Sequence, residues 1–232
     1  MQLQTLNRIP VDVLGARVAQ EIRSAILRGD LPPGSRVKQE DLAAQLGVSR
    51  EPVRQALLLL QGEGLLHAQP NRSAQVAAVD RQLISGLYEL REAVESSLVG
   101  TLARRPGFDV KPFRILIARG RTAVRQRDLP ALIDLDMSFH TGLYEAAGNR
   151  VIVEVMRGQW IHIRRVMAMV LDQAAYRQKV WDEHEAIVHA IHARRAASAS
   201  VAAGRHIRAA RKMLLAVFGA APTPCCPSPT TS

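Results

Sequence analysis

Aromatic rings and sulfur are scarce in this chain. Phe, Trp and Tyr together make up 4% of its 232 residues, so any core must be built from Leu, Val, Ile and Ala. Cysteine occurs twice, as the neighbours Cys225 and Cys226. Adjacent cysteines staple no distant segments and lack the spacing of a zinc knuckle, which excludes a disulfide scaffold. No apolar run approaches the ~18 residues a membrane helix needs, so no membrane partner is expected. Residues 1–10 carry no leader-like apolar stretch, which predicts no secretory signal and a cytoplasmic location.

What remains is ordinary globular composition, 47% hydrophobic and 22% charged, and long-range disorder is excluded. The length allows one large domain or two small ones. The net charge of +10 suggests an anionic partner. Its distribution does not locate one. Residues 1–79 hold nine Lys/Arg against seven Asp/Glu, and residues 80–232 hold twenty-two against fourteen.

Helical periodicity dominates. Val18, Ile22 and Ile26 recur at spacing four within a segment 13–28. Gly29-Asp30-Leu31-Pro32-Pro33-Gly34 then forms a firm stop. A short helix over 39–46 is expected to turn Leu42 and Leu46 inward. Gly47-Val48-Ser49 breaks it, and a third helix follows over 49–61. Two short strands, 65–69 and 74–78, flank Pro70-Asn71-Arg72-Ser73 as a hairpin. Beyond Asp80 all is helix, beginning with a stripe of Leu83, Leu87, Leu90, Val94 and Leu98. Further helices are predicted over about 110–127, 129–147, 150–171, 174–195 and 197–218. Four prolines among the last fourteen residues predict a disordered tail.

The expected fold is therefore mainly α. It comprises an N-terminal arm (1–12), a winged helix-turn-helix (13–78), an all-helical bundle of six to seven helices (79–218) and a tail (219–232).

Residues 39–61 have the parts of a helix-turn-helix: short helix, Gly-containing turn, second helix. Ser49 is a good N-cap residue, and Glu51 in the first turn suits the helix dipole. Pro52 is tolerated because first-turn N–H groups lack intrahelical partners. Val53, Leu57 and Leu60 face inward. Arg50 and Arg54, four apart, project together from the opposite face at the helix N-terminal end, with Gln55 beside them. A recognition helix offers that end to the major groove, where Arg can take two guanine acceptors. Arg72 and Asn71 at the hairpin tip suit phosphate or minor-groove contacts. Two arginines alone would more often be a solvated face; turn, cap, spacing and wing together favour double-stranded DNA.

The string Ile26-Leu27-Arg28-Gly29-Asp30-Leu31-Pro32-Pro33-Gly34 is followed by Leu42-Ala43, Leu46-Gly47-Val48-Ser49-Arg50, Pro52-Val53-Arg54, Ala56-Leu57 and Glu63-Gly64-Leu65. Together they resemble the GntR family of bacterial regulators. The resemblance implies a homodimer on a palindromic operator, with DNA contacts at Arg50, Arg54 and the wing around Asn71. This wing departs from the family pattern at Ser73, where Gly is common and would permit a positive φ more cheaply.

In the helix 129–147, Asp136 and His140 lie within the apolar stripe Leu132, Leu135, Phe139 and Leu143. His184 interrupts the stripe Val180, Ile187, Val188, Ile191, and His206 interrupts Ala203, Ile207, Ala210. A buried carboxylate is costly unless paired or bound to metal. Three imidazoles and one carboxylate make a competent divalent-metal site; histidines bonded to backbone in an ordinary core are the alternative. The body, over about 80–218, resembles the FCD ligand domain of FadR-type GntR regulators. That resemblance implies a metal motif, Asp-x-x-x-His followed by His on each of two later helices, met here by Asp136, His140, His184 and His206. It implies Zn, Ni or Mn as the ion, with a small organic acid as effector. Arg91 resembles the arginine that faces the FCD ligand cavity, its alternative being an i,i+4 surface pair with Glu95. Asn149 is a second pocket candidate, with a helix-end role as its alternative.

The expected function is a ligand-responsive transcriptional repressor. A metal sensor without organic effector is the alternative. An enzyme is not expected, because no nucleophile elbow or phosphate-binding Gly loop occurs, and Glu183 is the only base beside the histidines.

Overall fold

A computed structural model describes residues 11–71, 73–170 and 174–220. The chain divides between Val79 and Asp80 into two compact units. Residues 1–10 of the arm, Arg72, and residues 221–232 of the tail lie outside the described residues.

In the first unit, α1 (Val11–Arg28) buries Val18, Ala19, Ile22 and Ile26. After the Pro-Pro-Gly turn comes β1 (Arg36–Lys38), then α2 (Gln39–Leu46) and α3 (Arg50–Gly62). Strands β2 (Leu66–Gln69) and β3 (Ser73–Val76) form the hairpin. The antiparallel sheet runs β1-β3-β2, with Val37 opposite Ala74 and Ala68 opposite Ala74 on the other side. Strand β1 was not foreseen. It has three residues, and its support is pairing with β3 rather than any local pattern. Leu42 is buried as expected, but Leu46 is 36% exposed. It sits in the last turn before Gly47, whose φ of 64° ends the helix. Val53, Ala56 and Leu60 of α3 are fully enclosed. Gly15 lets α1 approach α3, because a Cβ there would lie 2.7 Å from Gln55 Oε1.

The second unit is helical throughout its described residues: α4 (Arg81–Arg104), α5 (Lys111–Gln126), α6 (Leu129–Ala147), α7 (Arg150–Val170), α8 (Ala174–His192) and α9 (Ala196–Ala220). Asp80 and Asp128 cap α4 and α6, accepting from the Leu83 and Ala131 N–H groups at 2.7 and 3.0 Å. α4 and α9 pack closely where Gly100 meets Ser200 and Gly204 meets Ser96. The inward face of α4 differs from the predicted stripe. Ile84, Leu87, Tyr88, Leu98, Val99 and Leu102 are buried, while Leu83, Leu90 and Val94 are only half-buried. The shift carries Arg91 and Glu95 into the interior, at 2% and 1% exposure.

Arg121 of α5 is bound to Asp182 and Glu185 of α8 at 2.9 and 2.7 Å. On the buried side of the same contact, Gly120 faces Trp181. A Cβ at Gly120 would stand 2.2 Å from the indole, and Trp181 is 1% exposed. Gly120→Ala is expected to destabilise the protein by about 1–3 kcal/mol, the usual cost of overpacking. A lowered urea midpoint with unchanged slope would show it; an unchanged midpoint would mean that Trp181 yields freely.

Candidate metal centre and nucleic-acid interface

The second helix of the helix-turn-helix begins at Ser49, whose extended backbone (φ −70°, ψ 166°) is that of an N-cap. Its hydroxyl takes no N–H bond, so the residue caps by backbone geometry alone. Support for this end comes instead from Gln39, whose buried amide donates to the Arg50 carbonyl at 2.6 Å. Arg50 and Arg54 are both exposed. Arg50 lies 3.1 Å from Glu40, and Arg54 holds Glu51 through two bonds of 2.9 and 2.6 Å. The Arg54 bond lowers the Glu51 carboxyl below its ordinary value. Exposed pairs of this kind contribute little, so they preorganise the guanidinium groups without locking them. Gln55 is half-buried beside Gly15 and offers less of itself to a ligand than the two arginines.

At the wing tip the left-handed residue is Asn71, at φ 61°, a conformation Asn tolerates better than most side chains. Ser73 is already in β3. Its hydroxyl donates to the Pro70 carbonyl at 2.7 Å and accepts from Arg36 Nε at 2.9 Å. The expected strain at Ser73 is thus absent, because the turn takes its positive φ two residues earlier.

In the body, four side chains from three helices converge. His140, His184 and His206 each present a ring nitrogen within 4.8 Å of the others. His184 Nε2 and His206 Nε2 are 3.3 Å apart. Asp136 Oδ1 is 3.5 Å from His184 Nε2, and Asp136 Oδ2 is 3.8 Å from His140 Nε2. A tetrahedral ion with bonds of ~2.0–2.2 Å spaces its ligand atoms by about 3.4 Å, so the donor set can hold a divalent cation. His140 Nε2 is buried with no hydrogen-bond partner, as a lone pair aimed at such an ion would be.

Carboxylates behind the rings fix their tautomers. His140 Nδ1 donates to Glu95 Oε2 at 2.7 Å, and His206 Nδ1 donates to Glu183 Oε2 at 2.8 Å. A carboxylate accepts there, so each Nδ1 carries the proton and each Nε2 keeps its lone pair inward. Burial lowers the His140 pKa, and burial together with His206 and His140 lowers that of His184 well below the ordinary value. Neutral imidazole is the ligating form. The His184 ring is wedged by stacking on Phe139 (4.0 Å, 13°) and by the edge of Trp181 (5.0 Å, 83°).

Glu95 is the hub that sequence reasoning missed. It accepts from Arg91 Nε at 2.9 Å and from the Tyr144 hydroxyl at 2.6 Å, in addition to His140. Burial opposes its charge, but His140 and Arg91 hold its carboxyl well below the usual range. Burial also opposes the Arg91 charge, which Glu95 more than restores. The Arg91 guanidinium lies 5.0 Å from the Tyr88 ring and 5.2 Å from the Trp160 ring. Its Nη2 is buried without a hydrogen-bond partner among the described residues. Arg91, Asp136 and His206 line one cavity of about 30 Å³. Arg91 pairs with Glu95 as the i,i+4 reading has it, but in the interior rather than at the surface. Asn149 is not brought to this cavity. It is exposed and accepts from the Val151 and Ile152 N–H groups at 3.1 and 3.3 Å, starting α7.

A winged helix-turn-helix joined to a helical body is the architecture of a DNA-binding transcriptional regulator. Residues 14–76 match the bacterial regulatory proteins of the gntR family, and residues 86–209 match the FCD domain. The chain belongs to the GntR family, in its FCD-containing branch, and is a DNA-binding transcriptional regulator rather than an enzyme. It is 30% identical to an HTH-type transcriptional regulator in an unstable DNA locus of Streptomyces ambofaciens, over 82% of this chain and 80% of that one. It is 25% identical to the gluconate operon transcriptional repressor of Bacillus subtilis, over 76% and 75%. The solved structure of E. coli McbR/YncC shares the fold, with a TM-score of 0.72 at 20% identity, covering 88% of this chain and 98% of that one. No helix among the described residues is long and apolar enough to cross a membrane.

Proposed function

We propose that the protein is a cytoplasmic, effector-controlled repressor that binds a palindromic operator as a homodimer. Arg50 and Arg54 read base edges in the major groove, with Ser49 and Gln55 at the flank of that contact. Asn71 and Arg72 steady the wing on the backbone. Asp136, His140, His184 and His206 hold one divalent ion (Zn, Ni or Mn). A bound ion would supply positive charge and Lewis acidity to a group beside it. The effector is a small carboxylate held between the cluster and Arg91.

The observation that carries the effector reading is the unpaired Arg91 Nη2, fully buried and lining the same cavity as two of the four metal donors. A buried guanidinium N–H without a partner is costly, and a carboxylate oxygen satisfies it in the manner arginine favours. This favours an organic effector over the ion alone as signal. Effector binding shifts DNA affinity only by its differential affinity for the DNA-competent and incompetent states.

Elemental analysis of protein desalted without chelator tests the centre. About one equivalent of divalent metal per chain is expected, falling to a small fraction in His184→Ala. Glu183→Gln should retain the ion with affinity weakened about 10- to 100-fold, the usual effect of losing a partner behind a ligand. No metal after reconstitution would reduce the histidines to core residues and remove the metal-bound effector.

A further inference from the structure

The cavity beside Arg91 has a chemical asymmetry that narrows its ligand. At one end stand Arg91 and the donors Asp136 and His206. The remaining wall is apolar: Leu132, Met167, Val180, Trp181, Met213 and Leu214. Arg91 Nε is taken by Glu95, and His206 Nδ1 by Glu183. Arg91 Nη2 is a buried donor without a hydrogen-bond partner. Among the described lining residues there is no second cation, and the only hydroxyl is that of Tyr88.

Resting on the carboxylate reading above, we infer that the effector is a monocarboxylate with a short apolar tail, not a sugar acid or a dicarboxylate. One carboxylate uses the unpaired Arg91 donor and the ion. A second carboxylate would enter an apolar wall with no counter-charge. A polyol acid would set most of its hydroxyls against the apolar wall, each losing its water at a cost of roughly tenfold or more in affinity. An apolar tail meets matching surface. The cavity of about 30 Å³ has room for a water or two, so the tail enters by displacing side chains. Met167 and Met213 in its wall are unbranched and adaptable, the residue type that re-packs most easily.

Three six-carbon acids separate the possibilities: hexanoate, adipate and gluconate, titrated calorimetrically into the metal-loaded full-length protein beside acetate and butanoate. Hexanoate is expected to bind at least tenfold tighter than adipate or gluconate. From acetate upward each methylene should tighten binding about fourfold until the cavity is filled. Met213→Ala should then move the preferred chain length up by one or two carbons. Adipate or gluconate binding as tightly as hexanoate overturns the inference while leaving the carboxylate reading intact. Binding of no carboxylate removes both.

Discussion

Arg54→Ala protein is expected to bind an operator selected from random duplexes about 10- to 100-fold more weakly than the unaltered chain. Loss of one bidentate Arg–guanine contact has this magnitude. Affinity for random-sequence duplex should fall much less, because non-specific binding rests on phosphate neutralisation spread over many groups. The comparison must be made at one salt concentration. Equal losses on both duplexes would make Arg54 a phosphate contact; no loss on either would remove the recognition-helix assignment. The fold should survive, since Arg54 is exposed and its partner Glu51 lies on the same helix. Glu51→Gln is the informative companion. It frees Arg54 and removes a negative charge from the DNA-facing end, so binding should hold or tighten.

Glu95→Ala is expected to cost about 3–5 kcal/mol of folding stability, as breaking a buried ion pair from one side does. The substitution strands the Arg91 guanidinium, the His140 N–H and the Tyr144 hydroxyl together in the interior. Urea unfolding of metal-free protein reads this loss directly. Pairing it with Arg91→Met separates charge from packing. The double variant should recover part of the stability, since it removes the stranded charge but leaves the His140 N–H and Tyr144 hydroxyl unpaired, and it should not regain response to a carboxylate. If Glu95→Ala unfolds at the unaltered midpoint, the network adds nothing to the fold.

Much of the buried cluster was legible because its residues violate a regular pattern. Asp136, His140, His184 and His206 stand in apolar stripes of helices whose period is unmistakable, so their burial followed from 3.6 residues per turn. Arg91 and Glu95 obey the same logic but were harder to see. α4 is packed by α6, α7, α8 and α9 on several sides, and a helix contacted that widely has no single apolar stripe. Its leucines at 83 and 90 made an equally good pattern one step around the helix. Strand β1 was invisible for another reason: three residues carry too little periodicity, and the partner strand is far along the chain, with 37 positions between Val37 and its opposite, Ala74. Asn149 shows a third limit. Composition marked a helix boundary, but only coordinates reveal which of the two adjoining helices its side chain serves.

The distribution of aromatic rings has a practical consequence. Residues 1–79 contain no Phe, Tyr or Trp, and the chain has two tryptophans. Both flank the histidine cluster, Trp181 with its ring 5.0 Å from that of His184 and Trp160 with its ring 6.1 Å from that of His140. Intrinsic ultraviolet emission therefore comes from the helical unit alone, and the helix-turn-helix unit is dark. On the proposed function, unlabelled protein would report an effector entering its pocket while a dye on the duplex follows the operator, so the two events would be timed separately in one cuvette.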